Sequence, residues 1–101
     1  MTVLVRYSPA SLSRETYDRV EEVLRRRAAD GPPRELALHV LFGAEPALRV
    51  SEIWESEEAW RHFRTGLLAE AFEEVGFEMP EPEVLAVHAM WGSAVKEPAA
   101  G

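Results

Sequence analysis

Three histidines, His39, His62 and His88, are the side chains best suited to exchange a proton near neutral pH. His39 and His88 fall inside short, β-branched apolar segments, in the alternation phase that also holds Arg6, Glu52, Trp54 and Met90. Two neutral imidazoles on such a surface could orient a phenolic substrate or take its proton, which makes His39 and His88 the candidate catalytic residues. The plainer alternative is that each bonds locally within a polar interface. Trp54 could stack on a flat ligand or simply fill an interface. Arg6 and Glu52 could touch a ligand or form a cross-strand ion pair with each other. Met90 completes the expected ligand-facing set. His39, Glu52 and His88 make a two-histidine, one-carboxylate metal set on paper. Their placement on separate strands argues against it, so no metal is expected. His62 should lie at the surface, and Trp60, Phe63 and Phe72 read as core.

Other chemistries lack their residues. The chain has no cysteine, which removes disulfides, thiolate metal sites and a thiol nucleophile. No serine sits in a glycine-flanked strand-to-helix elbow, and no glycine-rich phosphate loop occurs. A net charge of -7 over 101 residues disfavours nucleic acid, which needs a basic stripe. The run Arg25-Arg26-Arg27 closes a predicted helix, where cations suit the dipole. No segment approaches the roughly 20 apolar residues of a membrane span. The run from Met1 to Arg6 is too short, and lacks the basic start, for a secretory leader. Cytoplasmic residence is therefore expected.

These groups must be positioned by ordinary elements. Val3 to Tyr7 reads as a strand stopped by Ser8-Pro9. Ser13 reads as the N-cap of a helix running to about Ala29, with Leu12 and Tyr17 spaced as a hydrophobic staple. Tyr17, Val20, Val23, Leu24 and Ala28 form its apolar stripe. Asp30-Gly31-Pro32-Pro33 stops it. Leu36–Phe42 and Leu48–Trp54 form a hairpin about Gly43 to Pro46. Ser56 caps a second helix that ends at Gly76, with a bend possible at Gly66. Glu70, Glu73 and Glu74 occupy its acid-disfavouring half, for a reason the sequence does not supply beyond solvation. Val84 to Trp91 is the last strand. Residues 1–92 form the domain and 93–101 a flexible tail.

The order βαββαβ is the split βαβ arrangement of ferredoxin-like α+β proteins: a four-stranded antiparallel sheet with two helices on one face. Right-handed crossovers put the first and third strands in the centre and the second and fourth at the edges. The expected helix-facing phase is Val3, Val5, Tyr7, Leu36, Leu38, Val40, Phe42, Ser51, Ile53, Leu85, Val87, Ala89 and Trp91. The opposite phase, with the candidate site residues, is too apolar for water and too polar for a sealed core. Two such faces enclosing a shared lumen in a homodimer would satisfy both constraints. There His39 and His88, far apart in one subunit, could approach across the dimer. The lumen could instead be filled by Leu4, Leu41, Leu48, Trp54 and Met90.

His39-Val40-Leu41-Phe42-Gly43, the stretch Leu48 to Ser56 followed by Ala59, Trp60 and Phe63, and Pro80 to Val84 leading to Val87-His88 carry a family resemblance. The chain resembles the dimeric α/β-barrel proteins related to antibiotic-biosynthesis monooxygenases. The resemblance implies a homodimer, with higher assembly open, and a small, largely aromatic ligand in its lumen. It implies no cofactor, because some members oxidise polycyclic aromatics with molecular oxygen and neither metal nor flavin. Others degrade haem with an asparagine near the first strand and a helix histidine. This chain has no asparagine, so that role does not carry over. Non-catalytic ligand binding, or a purely structural dimer, is the alternative.

Overall fold

The structure, a computed structural model, describes residues 1–93. The expected tail, apart from Ser93, lies outside the described residues. Strand β1 (Val3–Tyr7) leads through Leu12 into helix α1 (Arg14–Arg27). The Ser13 hydroxyl accepts from the Thr16 amide, a cap of about 1 kcal/mol. Strands β2 (Leu36–Phe42) and β3 (Arg49–Trp54) form the hairpin. Ser56 then caps α2 (Glu57–Phe63) by accepting from the Ala59 amide. The second helical segment is not α-helical throughout. A π turn over Arg64–Leu68, holding Gly66, separates α2 from α3 (Ala69–Val75). The weak helix former sits where the ladder changes pitch. Gly76 closes α3 in the left-handed conformation, with φ 80°. Strand β4 (Pro82–Ala86) completes the sheet.

The strand order is β2-β3-β1-β4, all neighbours antiparallel, which is the ferredoxin-like arrangement with β2 and β4 at the edges. Strand β4 is shorter than the sequence suggests. Its partner β1 starts at Val3, and the last linking bond runs from the Val87 amide to the Thr2 carbonyl. Beyond that point no ladder is available to hold an extended chain. His88 and Met90 therefore lie past the strand, not on it.

The helices cover one face. Arg26 and Arg27 of α1 reach Glu74, which gives this acid near the C-terminal end of α3 cationic partners; Arg27 also reaches Glu70, which lies in the first turn of α3, where an acid suits the dipole. Val20, Val23 and Ala71 are buried between the helices. Under them Val3, Val5, Tyr7, Val50, Trp54 and Trp60 form the main core.

The register overturns part of the expected sidedness. Val3, Val5 and Tyr7 do face the helices, but they lie opposite Trp54, Glu52 and Val50, which face the helices too. His39 and Leu41 pair with Glu52 and Val50 and share that side. Leu36 is opposite Trp54 and faces inward as expected, but a register shift between Leu36 and Leu38 reverses the phase beyond it. Leu38, Val40 and Phe42 consequently lie on the open face, with Ser51, Ile53 and Leu85. Three strands thus point opposite to expectation, while β1 points as expected.

Candidate functional site

The reversal brings His39, Glu52 and Trp54 together beneath the helices instead of in a lumen between two sheets. Glu52 is the one buried charged side chain among the described residues, and all its partners come from the sequence-selected set. Its Oε1 accepts from the Trp54 indole N–H at 2.9 Å. Its Oε2 lies 2.7 Å from His39 Nδ1. A carboxylate only accepts, so His39 carries its proton on Nδ1. The neutral ring then presents Nε2 as an acceptor, and the Tyr17 hydroxyl donates to it at 2.6 Å. The result is a continuous chain from indole to carboxylate to imidazole to phenol.

Each member is positioned by a different element. Glu52 and Trp54 sit two apart on β3 and so project from the same side. His39 comes from the adjacent edge strand β2, directly opposite Glu52. Tyr17 descends from the first turns of α1, whose entry is set by the Ser13 cap and by Leu12. The Leu12 backbone is tied to the Pro46 carbonyl and the Leu48 amide. Exposure falls along the chain from 33% at the His39 side chain to 6% at Glu52 and nil at Trp54. The outer end meets solvent and the inner end is sealed.

Beside this chain lies a cavity of about 500 Å³ between the helices and the sheet. That size is ordinary for a small-molecule site. Its walls are mainly apolar, from Leu12, Val20, Leu24, Val50, Phe63 and Phe72, while Tyr17, His39, Glu52 and Glu21 bring polar atoms to it. Tyr7 also lines it and accepts from the Trp60 indole N–H at 3.0 Å. Burial is the main cause holding both phenols protonated: it pushes Tyr7, and with help from Glu21 also Tyr17, up to about 12.

The other expected site residues are not brought here. Arg6 faces the open side, opposite Ser51, and its nearest carboxylate is Glu83 at 3.9 Å, not Glu52. A one-residue offset in register separates them: Val5, not Arg6, opposes Glu52. His88 is exposed and Met90 half-buried, both beyond β4, the edge strand farthest from β2. Trp54 is fully buried under Phe63, with ring centroids 5.4 Å apart, so it supports the site from beneath instead of offering a stacking surface. His62 is exposed as expected. Among the described residues no group of three histidine or acidic side chains is placed to hold a metal ion. Sequence reasoning missed Tyr17 and Tyr7, which it counted as helix stripe and strand core. The available signal was chemical: a tyrosine on an apolar stripe brings a hydroxyl that must find a partner.

No family model and no curated protein matches the chain. Solved structures do match. A conserved protein from Methanosarcina mazei Go1 is 13% identical, with TM-score 0.59 over 83% of this chain and 90% of that one. A Caulobacter crescentus CB15 protein, assigned by inference as an antibiotic biosynthesis monooxygenase, is 18% identical, with TM-score 0.56 over 86% and 89%. SnoaB from Streptomyces nogalater, a cofactor-independent oxygenase, is 17% identical, with TM-score 0.53 over 86% and 91%. The chain shares its fold with these proteins. At these identities the likeness is one of fold. No helix among the described residues is long and apolar enough to cross a membrane.

Proposed function

We propose that this protein binds a small, largely aromatic molecule in the cavity between its helices and its sheet, and oxygenates it as a cofactor-independent monooxygenase. The observation that carries this reading is an apolar cavity of about 500 Å³ flanked by a partly buried imidazole backed by a buried carboxylate. Aromatic walls suit a flat ligand, and the His39–Glu52 pair supplies a base for a phenolic or enolic proton. Removing that proton makes the ring electron-rich enough to pass electrons to molecular oxygen. The fold shared with SnoaB supports this chemistry over others. His39 is the proton acceptor, Glu52 holds its ring, and Trp54 holds Glu52. His88, Arg6 and Met90 have no part at this cavity.

The protein works as a homodimer in the cytoplasm in this reading. Self-association is supported by the open face. There Leu38, Ile53, Leu4 and Leu85 form one apolar row across all four strands, with Leu38 47% and Leu85 43% exposed.

Oxygen uptake and product analysis with hydroxylated naphthalenes and anthracenes test the proposal. Turnover should occur with the wild type and stop in Leu24→Trp, which fills the cavity from α1. A polycyclic ligand that binds and is recovered unaltered under oxygen would favour a binding protein. Failure of every such compound to bind would sink both readings.

A further inference from the structure

We propose that Tyr17 is the group that meets the substrate hydroxyl, with His39 taking the proton through it, so that the site selects uncharged hydroxylated aromatics. This inference rests on the reading of the cavity as a binding site and adds who touches the ligand and which ligands are refused.

Glu52 fixes the His39 ring with Nδ1–H turned inward at 2.7 Å, and Tyr17 already occupies Nε2 at 2.6 Å. Both imidazole nitrogens are engaged, so a ligand in the cavity finds no free nitrogen. It finds the Tyr17 oxygen, whose proton is committed to His39 and whose lone pairs remain able to accept. A phenolic substrate can donate to that oxygen. Its proton passes to Tyr17 oxygen as the Tyr17 proton passes to His39 Nε2. The substrate O–H bond breaks, one O–H bond breaks and one forms at Tyr17, and one N–H bond forms at His39. Tyr17 ends neutral, the substrate ends as its anion, and the imidazolium faces Glu52. No electron changes hands in this step.

The surroundings favour that direction of transfer. Tyr17 itself resists ionisation, so it relays the proton without holding the negative charge. Its neighbours at the cavity wall include Glu21, and the nearby cations are paired, Arg25 with Glu21 and Arg14, 6.0 Å from the centre of the Tyr17 ring, with Asp18. With Glu52 also present and no unpaired lysine or arginine lining the cavity among the described residues, a ligand carrying a carboxylate would meet like charge. A neutral phenol meets an acceptor.

The test uses naphthol, its methyl ether and naphthoate as probes, titrated calorimetrically against the protein. Naphtholate absorbance gives the ionisation of bound naphthol as pH rises. The wild type should bind naphthol roughly tenfold more tightly than the ether, the worth of one hydrogen bond, and naphthoate least. Tyr17→Phe should remove the preference by weakening naphthol alone, leaving the ether unchanged, which also shows that the cavity is intact. His39→Gln should keep naphthol bound but move its ionisation to higher pH. Equal binding of naphthol and ether by the wild type, or an unchanged preference in Tyr17→Phe, overturns the inference while the cavity reading survives. Absence of binding by all three probes overturns both.

Discussion

The two faces of this sheet both carry apolar side chains but are organised differently. Beneath the helices, Val3, Val5, Tyr7 and Trp54 are almost fully buried, and the polar atoms among them are paired: indole to carboxylate, carboxylate to imidazole, imidazole to phenol, and a second indole to Tyr7. No buried side-chain nitrogen or oxygen among the described residues lacks a partner. The open face has no such chain. It carries the apolar row through Leu38, Ile53, Leu4 and Leu85 beside a polar row of Ser51, Arg6 and Glu83, and Arg49 lies over Phe42 at 4.8 Å. The difference shows that apolar content alone does not decide which face is covered. The covered face is the one whose polar groups can all be satisfied without water.

Substitutions on the two sides should separate these roles, and the largest effect belongs under the helices. Trp54→Ala removes a wholly buried indole and leaves Glu52 short of a donor, so unfolding in urea should show a loss of about 3–5 kcal/mol. A loss under about 1 kcal/mol would mean that the covered face is not the stabilising one.

Alkaline titration probes the same side. Both tyrosines of the chain lie at the cavity and are pushed up to about 12 from the ordinary 10.0. Tyrosinate absorbance should therefore be nearly absent at pH 10 and appear near pH 12. The folded state prefers the protonated phenols, so their contribution to stability is whole below pH 10 and is lost as pH rises from about 10 to about 12. An ordinary titration of either residue would place its hydroxyl in water.

On the open face, Val40→Glu with Leu85→Glu should change subunit stability by no more than about 0.5 kcal/mol, because both positions are already 40% and 43% exposed. The same pair should shift sedimentation at high concentration toward the single subunit. Unaltered association would move the interface elsewhere.

The smallest effect is electrostatic. Hydrogen bonds from Arg26 and Arg27 hold the Glu74 carboxyl below the usual range. Its contribution is present above that usual range and fades as pH falls through the lowered folded value. Glu74→Gln should make acid unfolding slightly less steep in low salt, and added salt should erase the difference.

Much of the arrangement was legible in local signals. Ser13 and Ser56 as caps, Gly76 as a stop, the hairpin, the order of elements and the strand order all follow from spacing, turn chemistry and crossover handedness. So does the grouping of His39, Glu52 and Trp54, since period-two alternation holds within a strand and between strands in register. What alternation cannot supply is the side. The polar residues in that phase suggested an outward face, because their partners were not visible in the sequence. Register then decided the matter. A bulge at the start of β2 turned Leu38, Val40 and Phe42 outward, and β1 set Val5, not Arg6, against Glu52. Tyr17, 22 residues before His39, joined the chain only when α1 crossed the sheet. Local sequence determined which elements form and which residues travel together. The tertiary structure alone decided which face is buried, because burial depends on whether distant hydrogen-bond partners arrive together.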